Sequence, residues 1–144
     1  MKNENKIKLF LVDDDAVFLK LLEIEFLQNA DFIIETFATG ELCLSKLSHQ
    51  PDVIILDYHL DSIDKNAMNG LATLDKIKSS HPDIPVIMLS SQDKIEVAIN
   101  CMHHKAVDYV VKSETAFMRL KQIITNILRY EKMEKELNWY MERM

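Results

Sequence analysis

Residues 53–70 read VIILDYHLDSIDKNAMNG. Four apolar residues, Val53, Ile54, Ile55 and Leu56, stop abruptly at Asp57, and a polar stretch follows before helical spacing resumes. An unbroken β-rich run of this kind marks a strand buried on both faces of a parallel sheet. A buried strand that ends in a carboxylate needs a reason, because an unpaired charge inside a protein is costly.

Working outward, the run extends to DVIILD, 52–57, and four more resemble it: IKLFLV, 7–12; DFIIETF, 31–37; IPVIMLS, 84–90; and AVDYVV, 106–111. DFIIETF is the least apolar and is expected nearest a sheet edge. Helix-period segments lie between the strands. Phe18, Leu19, Leu22, Phe26 and Leu27 line one face of a first helix, and Leu42, Leu44 and Leu47 suggest a short second one after Thr39-Gly40. Leu71, Leu74 and Ile77 mark a third, stopped by His81-Pro82. Ile95, Val97, Ala98, Ile99 and Met102 mark a fourth, with Ser91 or Asp93 expected as its N-cap. A fifth starts near Ser113. Alternating strands and helices predict an α/β fold: a doubly wound, five-stranded parallel sheet with helices on both faces. Such sheets bind ligands at the carboxyl ends of their strands.

Composition narrows the function. The 144-residue chain is 48% hydrophobic and 28% charged, enough for one packed domain. Its formal net charge of −6 argues against a nucleic-acid binder. Two glycines in the whole chain exclude a Gly-rich phosphate loop. Cys43 and Cys101 lack metal-ligand spacing and read as buried, reduced thiols. No apolar run approaches the ~20 residues of a membrane span, and the N-terminal apolar run is too short for a signal peptide. The expectation is a soluble, cytoplasmic protein without membrane contact.

The strand ends carry the chemistry. The first strand ends at Asp13, Asp14 and Asp15, the third at Asp57, the fourth at Ser90 and Ser91, and the fifth at Lys112. A parallel sheet gathers these ends on one edge. Clustered carboxylates hold Mg²⁺, a hard cation that prefers oxygen ligands. An Asp carboxylate can attack phosphorus, while a metal, a lysine and a serine hydroxyl offset charge on the phosphoryl oxygens. Taken singly, Asp15 reads as well as a helix N-cap, Ser90 or Ser91 as a turn residue and Lys112 as surface. The ordered set points to transfer of a phosphoryl group onto an aspartate.

The segments LFLVDDD, VIILD, VIMLSS and DYVVK resemble the receiver domain of two-component response regulators, over about residues 5–128. The resemblance implies a flavodoxin-like, receiver-type fold. It implies that Asp57 accepts a phosphoryl group from a sensor histidine kinase or phosphotransfer protein, and that the chain is not an enzyme beyond its own phosphorylation and slow autodephosphorylation. Asp14, Asp57 and the backbone carbonyl of His59 would ligate Mg²⁺, with Asp13 acting mainly through a metal-bound water. Lys112 and Ser90 would contact the phosphoryl group. Ser90 and Tyr109 would form the switch, and His59 and Gln92 would tune dephosphorylation. The fourth helix, fifth strand and fifth helix would form the output face toward a downstream protein partner.

Three departures from the family pattern stand out. The loop from Tyr58 to Asn69 is long and lacks Pro, and its Asp61 and Asp64 read as solvated. Ser113 replaces the frequent Pro after Lys112, which puts in doubt the cis peptide that the resemblance implies there. The last helix continues beyond a minimal receiver. His103-His104 reads as a solvated helix end, since adjacent helical residues face different ways.

Residues 1–128 are therefore expected to form the receiver unit, and 129–144 a helical extension. Tyr130, Met133, Leu137, Tyr140 and Met144 follow the 3-4 spacing of a coiled-coil seam, with Glu131–Lys135 and Lys132–Glu136 as flanking pairs. This stripe, with Trp139 beside it, needs a partner: a second copy in a homodimer through the last helix, another protein, or the domain's own surface; the bland reading is a frayed tail. No DNA-binding or ATPase motif follows. The competing enzyme reading is a haloacid dehalogenase-like phosphatase, since Asp13 to Val17 reads Asp-x-Asp-x-Val. That family places its second acidic motif after the Ser/Thr and Lys motifs, whereas Asp57 precedes Ser90 and Lys112. A degenerate receiver acting only as a binding module is the other alternative, and the complete residue set argues against it.

Overall fold

The computed structural model describes residues 6–144. The first five residues of the expected 1–128 unit lie outside the described residues. Strands β1 (Ile7–Val12), β2 (Phe32–Phe37), β3 (Val53–Asp57), β4 (Val86–Ser90) and β5 (Asp108–Val111) alternate with helices α1 (Ala16–Leu27), α2 (Gly40–Ser45), α3 (Gly70–Ser80), α4 (Ile95–His103) and α5 (Ala116–Glu142). A short 3-10 turn, Leu47–His49, follows α2.

All strand pairs are parallel, in the order β2-β1-β3-β4-β5. This is the flavodoxin-like doubly wound order, whose switch point lies between β1 and β3. β2 is an edge strand, as its weaker apolar character predicts. Two of the strands are shorter than their apolar runs. β4 begins at Val86 because Pro85 has no N–H for the ladder. β5 begins at Asp108, after a left-handed Lys105 at φ 74°.

Alternation along the strands builds two cores. Leu9, Leu11, Val53, Ile55, Ile87, Leu89 and Val110 face α1 and α5, meeting Leu22, Phe26, Leu120 and Ile124. Phe10, Val12, Ile54, Leu56, Val86 and Met88 face α2, α3 and α4, meeting Cys43, Leu74, Ile77 and Cys101. Each fully buried side chain of this size is worth ~1.5–3 kcal/mol relative to exposure. The two cysteines are free and buried, and burial raises their thiols to about 12 and about 11.

Several sequence expectations change. Leu27 is 52% exposed, so the buried face of α1 is carried by Leu22 and Phe26. Cys43 is the inward residue of α2, and Leu42 is exposed. In α4, Ile95, Ile99 and Met102 point outward, while Cys101 is buried and Val97 packs against the core. Neither Ser91 nor Asp93 caps α4: Lys94 stands at that position without a side-chain cap bond. His104 is not simply solvated, since its Nδ1 lies 2.7 Å from Asp75 Oδ1 and ties the end of α4 to α3. No cis peptide occurs among the described residues.

Helix α5 continues to Glu142. Its first half packs through Ala116, Leu120 and Ile124. Beyond Arg129 the apolar side chains are bare: Tyr130, Met133, Leu137 and Tyr140 are all at least 59% exposed. The flanking pairs Glu131–Lys135 and Lys132–Glu136 are not among the ion pairs formed by the described residues.

Candidate functional site

The carboxyl ends of β1 and β3 are adjacent in the sheet, with Val12 opposite Leu56. One residue further on, Asp13 and Asp57 leave the sheet side by side, both almost fully buried. Asp14 follows, partly exposed, and ligand oxygens of Asp13, Asp14 and Asp57 lie within 4.8 Å of one another. Asp15 turns away and serves as the N-cap of α1, accepting from the Val17 and Phe18 amides at 3.1 and 3.2 Å. Its own N–H donates to Asp13 Oδ1 at 2.9 Å, which fixes the Asp13 carboxylate.

Lys112, after β5, reaches across the strand ends. Its Nζ is 2.8 Å from Asp13 Oδ2 and 3.4 Å from Asp57 Oδ1, and it sits over the Phe18 ring at 4.8 Å. Burial pulls the ammonium down, but the Asp13 and Asp57 carboxylates outweigh it and leave its pKa raised. Asp57 is pushed up to about 8, by burial first and by the Asp13 charge second, with Lys112 opposing. One lysine is too little positive charge for two buried carboxylates and a third beside them.

That imbalance is the test for a cation. Lys112 meets Asp13 Oδ2 at ion-pair distance but off the line of a directed hydrogen bond, and this buried oxygen has no other partner. The donor set is all carboxylate, the hard oxygen chemistry that suits Mg²⁺. The residues fit a divalent cation.

A glycine sets the floor of the site. A Cβ on Gly70 would lie 2.3 Å from the Asp57 carbonyl oxygen and 2.7 Å from Tyr58 Cα. Gly70 N–H donates to Tyr58 O at 3.1 Å, so the long loop returns directly beneath Asp57. His59 N–H points at Asp57 Oδ1, at 3.3 Å. A cleft of about 450 Å³ opens over the carboxylates, lined among others by Asp14, Asp57, His59, Ser62, Ile63 and Lys112. Ser91, not Ser90, reaches this cleft.

Ser90 is fully buried, and it belongs to a second cluster with Gln92 and Tyr109. Ser90 Oγ accepts from Gln92 N–H at 3.0 Å, and the Tyr109 hydroxyl donates to Gln92 O. Burial raises the Tyr109 phenol, against a hydrogen bond with Ser90. Both peptide groups of one residue thus join the two expected switch side chains. Asp61 and Asp64 stay outside the acidic cluster, with Asp64 Oδ1 accepting from Asn66 N–H. Sequence reasoning missed Ser62. Its N–H donates to Asp14 Oδ2 at 3.0 Å and its hydroxyl to His59 O at 3.2 Å, and nothing in a loop serine's spacing signals this.

Comparison with known proteins follows the same lines. The family model described as the response regulator receiver domain matches residues 9–125. Regulatory protein LuxO of Vibrio vulnificus is 30% identical over 117 residues, which is 81% of this chain and 24% of that protein. A protein-glutamate methylesterase/protein-glutamine glutaminase of Clostridium acetobutylicum is 38% identical over 117 residues, 78% of this chain and 32% of that one. The chain thus spans about a quarter to a third of the length of these curated relatives. Among solved structures, the receiver domain of NtrX from Brucella abortus superposes with a TM-score of 0.73 at 27% identity, covering 84% of this chain and 98% of that domain. With the acids, the lysine and the 2-1-3-4-5 sheet on the same edge, the chain belongs to the response regulator receiver domain family of two-component signalling.

Proposed function

We propose that Asp57 is the phosphoacceptor of a two-component phosphorelay, receiving its phosphoryl group from a sensor histidine kinase or phosphotransfer protein. The observation that carries this reading is the convergence of the Asp13, Asp14 and Asp57 carboxylates with Lys112 Nζ in one cleft. Asp57 attacks phosphorus through a carboxylate oxygen as the P–N bond to the donor histidine breaks and the imidazole leaves, and Lys112, already 3.4 Å from Asp57 Oδ1, follows the charge onto the phosphoryl oxygens. Asp14, Asp57 and the His59 backbone carbonyl would hold Mg²⁺ directly, with Asp13 acting through a metal-bound water. When bound, the cation offsets charge on the transferring group.

Ser90 is the reporter. To reach a phosphoryl group its hydroxyl must leave Gln92 N–H, and Gln92 carries the carbonyl that Tyr109 holds. Moving one end of this peptide link biases the other, the bistable element that a phosphorylation switch needs. His59 and Gln92 flank the site and tune the lifetime of the acyl phosphate. The output face runs over α4, β5 and α5, where Ile95, Ile99 and Met102 point outward toward a downstream protein. Residues 1–128 act as the receiver unit in the cytoplasm, without nucleic-acid or membrane contact, and the chain catalyses only its own phosphorylation and slow dephosphorylation. The described residues contain no helix long and apolar enough to cross a membrane.

Residues 129–144 extend α5 toward a second copy of the chain. On a helix advancing 100° per residue, the Tyr130–Met144 stripe is centred about 120° away from the Ala116, Leu120 and Ile124 face, which favours a separate partner over its own sheet. With Tyr130 at a and Met133 at d, Arg129 falls at g and Glu134 at e, and a parallel pair sets Arg129 of each copy opposite Glu134 of the other.

The experiment is intact mass after incubation with acetyl phosphate and Mg²⁺, on wild type, Asp57→Asn and Asp13→Asn. The expected result is one phosphoryl adduct on wild type and none on Asp57→Asn. Phosphate turnover that survives Asp57→Asn but is lost in Asp13→Asn would replace the receiver reading with the phosphatase one.

A further inference from the structure

The loop between β3 and α3 does more than connect them. Its two ends are fixed. Leu60 is 1% exposed, Gly70 N–H holds Tyr58 O, Met68 N–H donates to Glu41 Oε2 at 3.1 Å, and Asp64 organises a turn through Asn66 and Ala67 amides at 3.0 Å each. These anchors leave Ser62 and Ile63 as a tip over the cleft. The tip buries nothing apolar, since Ile63 is 78% exposed. It is held by three hydrogen bonds to the acidic site: Ser62 N–H and Ile63 N–H to Asp14 Oδ2, at 3.0 and 3.3 Å, and Ser62 Oγ–H to His59 O, at 3.2 Å.

We infer that the Ser62–Ile63 tip is a gate on the cation site, engaging Asp14 and the His59 carbonyl in the metal-free protein and withdrawing when a divalent cation binds. This rests on the reading that those two groups, with Asp57, take Mg²⁺. A carboxylate oxygen offers two lone-pair directions, and both on Asp14 Oδ2 are filled by amides. Mg²⁺ demands near-ideal octahedral geometry with short bonds to oxygen, so ligands already oriented toward N–H and O–H donors must turn. Asp14 keeps its other oxygen, which makes the tip a modulator of affinity instead of a block. Exposed hydrogen bonds contribute little net stability each, so a cation can displace them, and a tip without buried apolar surface opens cheaply. Asp14 Oδ2 is thereby satisfied at rest by two loop amides and His59 O by the Ser62 hydroxyl, all from the loop that departs most from the family pattern.

The test uses the full chain and Mg²⁺ alone, with binding read by NMR chemical shifts and by melting temperature. Ser62→Ala removes the hydroxyl bond and is expected to tighten Mg²⁺ about 3-fold; Ser62→Pro removes hydroxyl and amide and is expected to tighten it about 10-fold. Both variants lower the melting temperature of the metal-free protein and show a larger rise on adding Mg²⁺ than wild type. In wild type, the Ser62 and Ile63 amides lose hydrogen-exchange protection as Mg²⁺ saturates, a readout that does not depend on either variant folding. Equal or weaker Mg²⁺ affinity in Ser62→Ala, or full amide protection at saturating Mg²⁺, overturns the gate while leaving the metal reading intact. No Mg²⁺ response in wild type or variants overturns both.

Discussion

The carboxyl edge of the sheet and the end of α5 break the same rule in opposite directions. At the sheet edge, Asp13 and Asp57 are ionisable groups buried to about 2% exposure. At the end of α5, Leu137, Trp139 and Tyr140 are apolar groups left 50–63% exposed. Proteins bury apolar surface and keep charge in water, so each region is incomplete as it stands. The difference lies in what completes them. The edge is short of positive charge, and under the proposed reading a small, hard cation would supply it. The helix end leaves apolar surface bare, and under the proposed reading a second copy of the chain would cover it. One region is read through electrostatics, the other through area.

The largest effect that sharpens this contrast is at the edge. Lys112→Met removes the cation that stands within 4 Å of Asp13 and Asp57. Metal-free stability at pH 8 should fall by ~3 kcal/mol, the usual cost of breaking a buried pair from one side, as read by urea unfolding in EDTA. Mg²⁺ should restore part of that loss, because it supplies the missing charge.

Next comes the pH dependence. Asp57 keeps its proton to about 8 in the folded, metal-free protein, against an ordinary value of 3.8. The folded state therefore holds more protons than the unfolded state between those values, and stability falls as pH rises across that window. Asp57→Asn removes the titrating group. It should flatten this slope and raise metal-free stability at pH 8 by ~1–3 kcal/mol, relieving burial of a carboxylate beside Asp13 with only one lysine between them. Urea unfolding at pH 5 and pH 8 checks both. A slope that persists in Asp57→Asn would put the proton on another group.

At the helix the expected effects are on association, not folding. Leu137→Asp should abolish self-association on a sizing column while shifting monomer stability by no more than ~0.5 kcal/mol, since Leu137 is exposed. Trp139, the single tryptophan, reports the same change through its fluorescence. A column profile unchanged by Leu137→Asp would mean that another surface completes the stripe.

The smallest effect concerns the flanking charges. Arg129→Glu should weaken the pair by ~1 kcal/mol or less, and Glu134→Arg in the same chain should restore it, as exposed ion pairs and double-mutant cycles behave. Failure of the restoring variant, with association intact, would favour an antiparallel pair.

The sequence determined much of this protein by itself. Strands buried on both faces need near-continuous apolar runs, so all five strands and their order of appearance could be read directly. The chemistry at their ends could be read too, because a parallel sheet must gather carboxyl ends on one side. Asp13, Asp14, Asp57 and Lys112 meet for that reason. The 3-4 spacing after Arg129 announced an unpartnered stripe in the same way. Periodicity assigns a residue to a face but does not say which face the sheet will claim. Leu27, Leu42, Ile95 and Ile99 share the spacing of their helices' apolar residues, and the packing leaves them outside.

Only the tertiary structure decided the rest. Ser62 touches Asp14 across 48 positions of chain, and Tyr109 touches Gln92 across 17. Those contacts depend on where a loop returns and how two strand ends are spaced, quantities that no local pattern encodes. Gly70 is a glycine because the Asp57 carbonyl lies where its side chain would be, a reason that exists only once β3 and α3 have packed. Local propensity and burial period write the elements and the order of the polar groups at the strand ends. Distances of a few ångströms between segments far apart in sequence decide which of those groups a proton, a loop amide or a cation will satisfy.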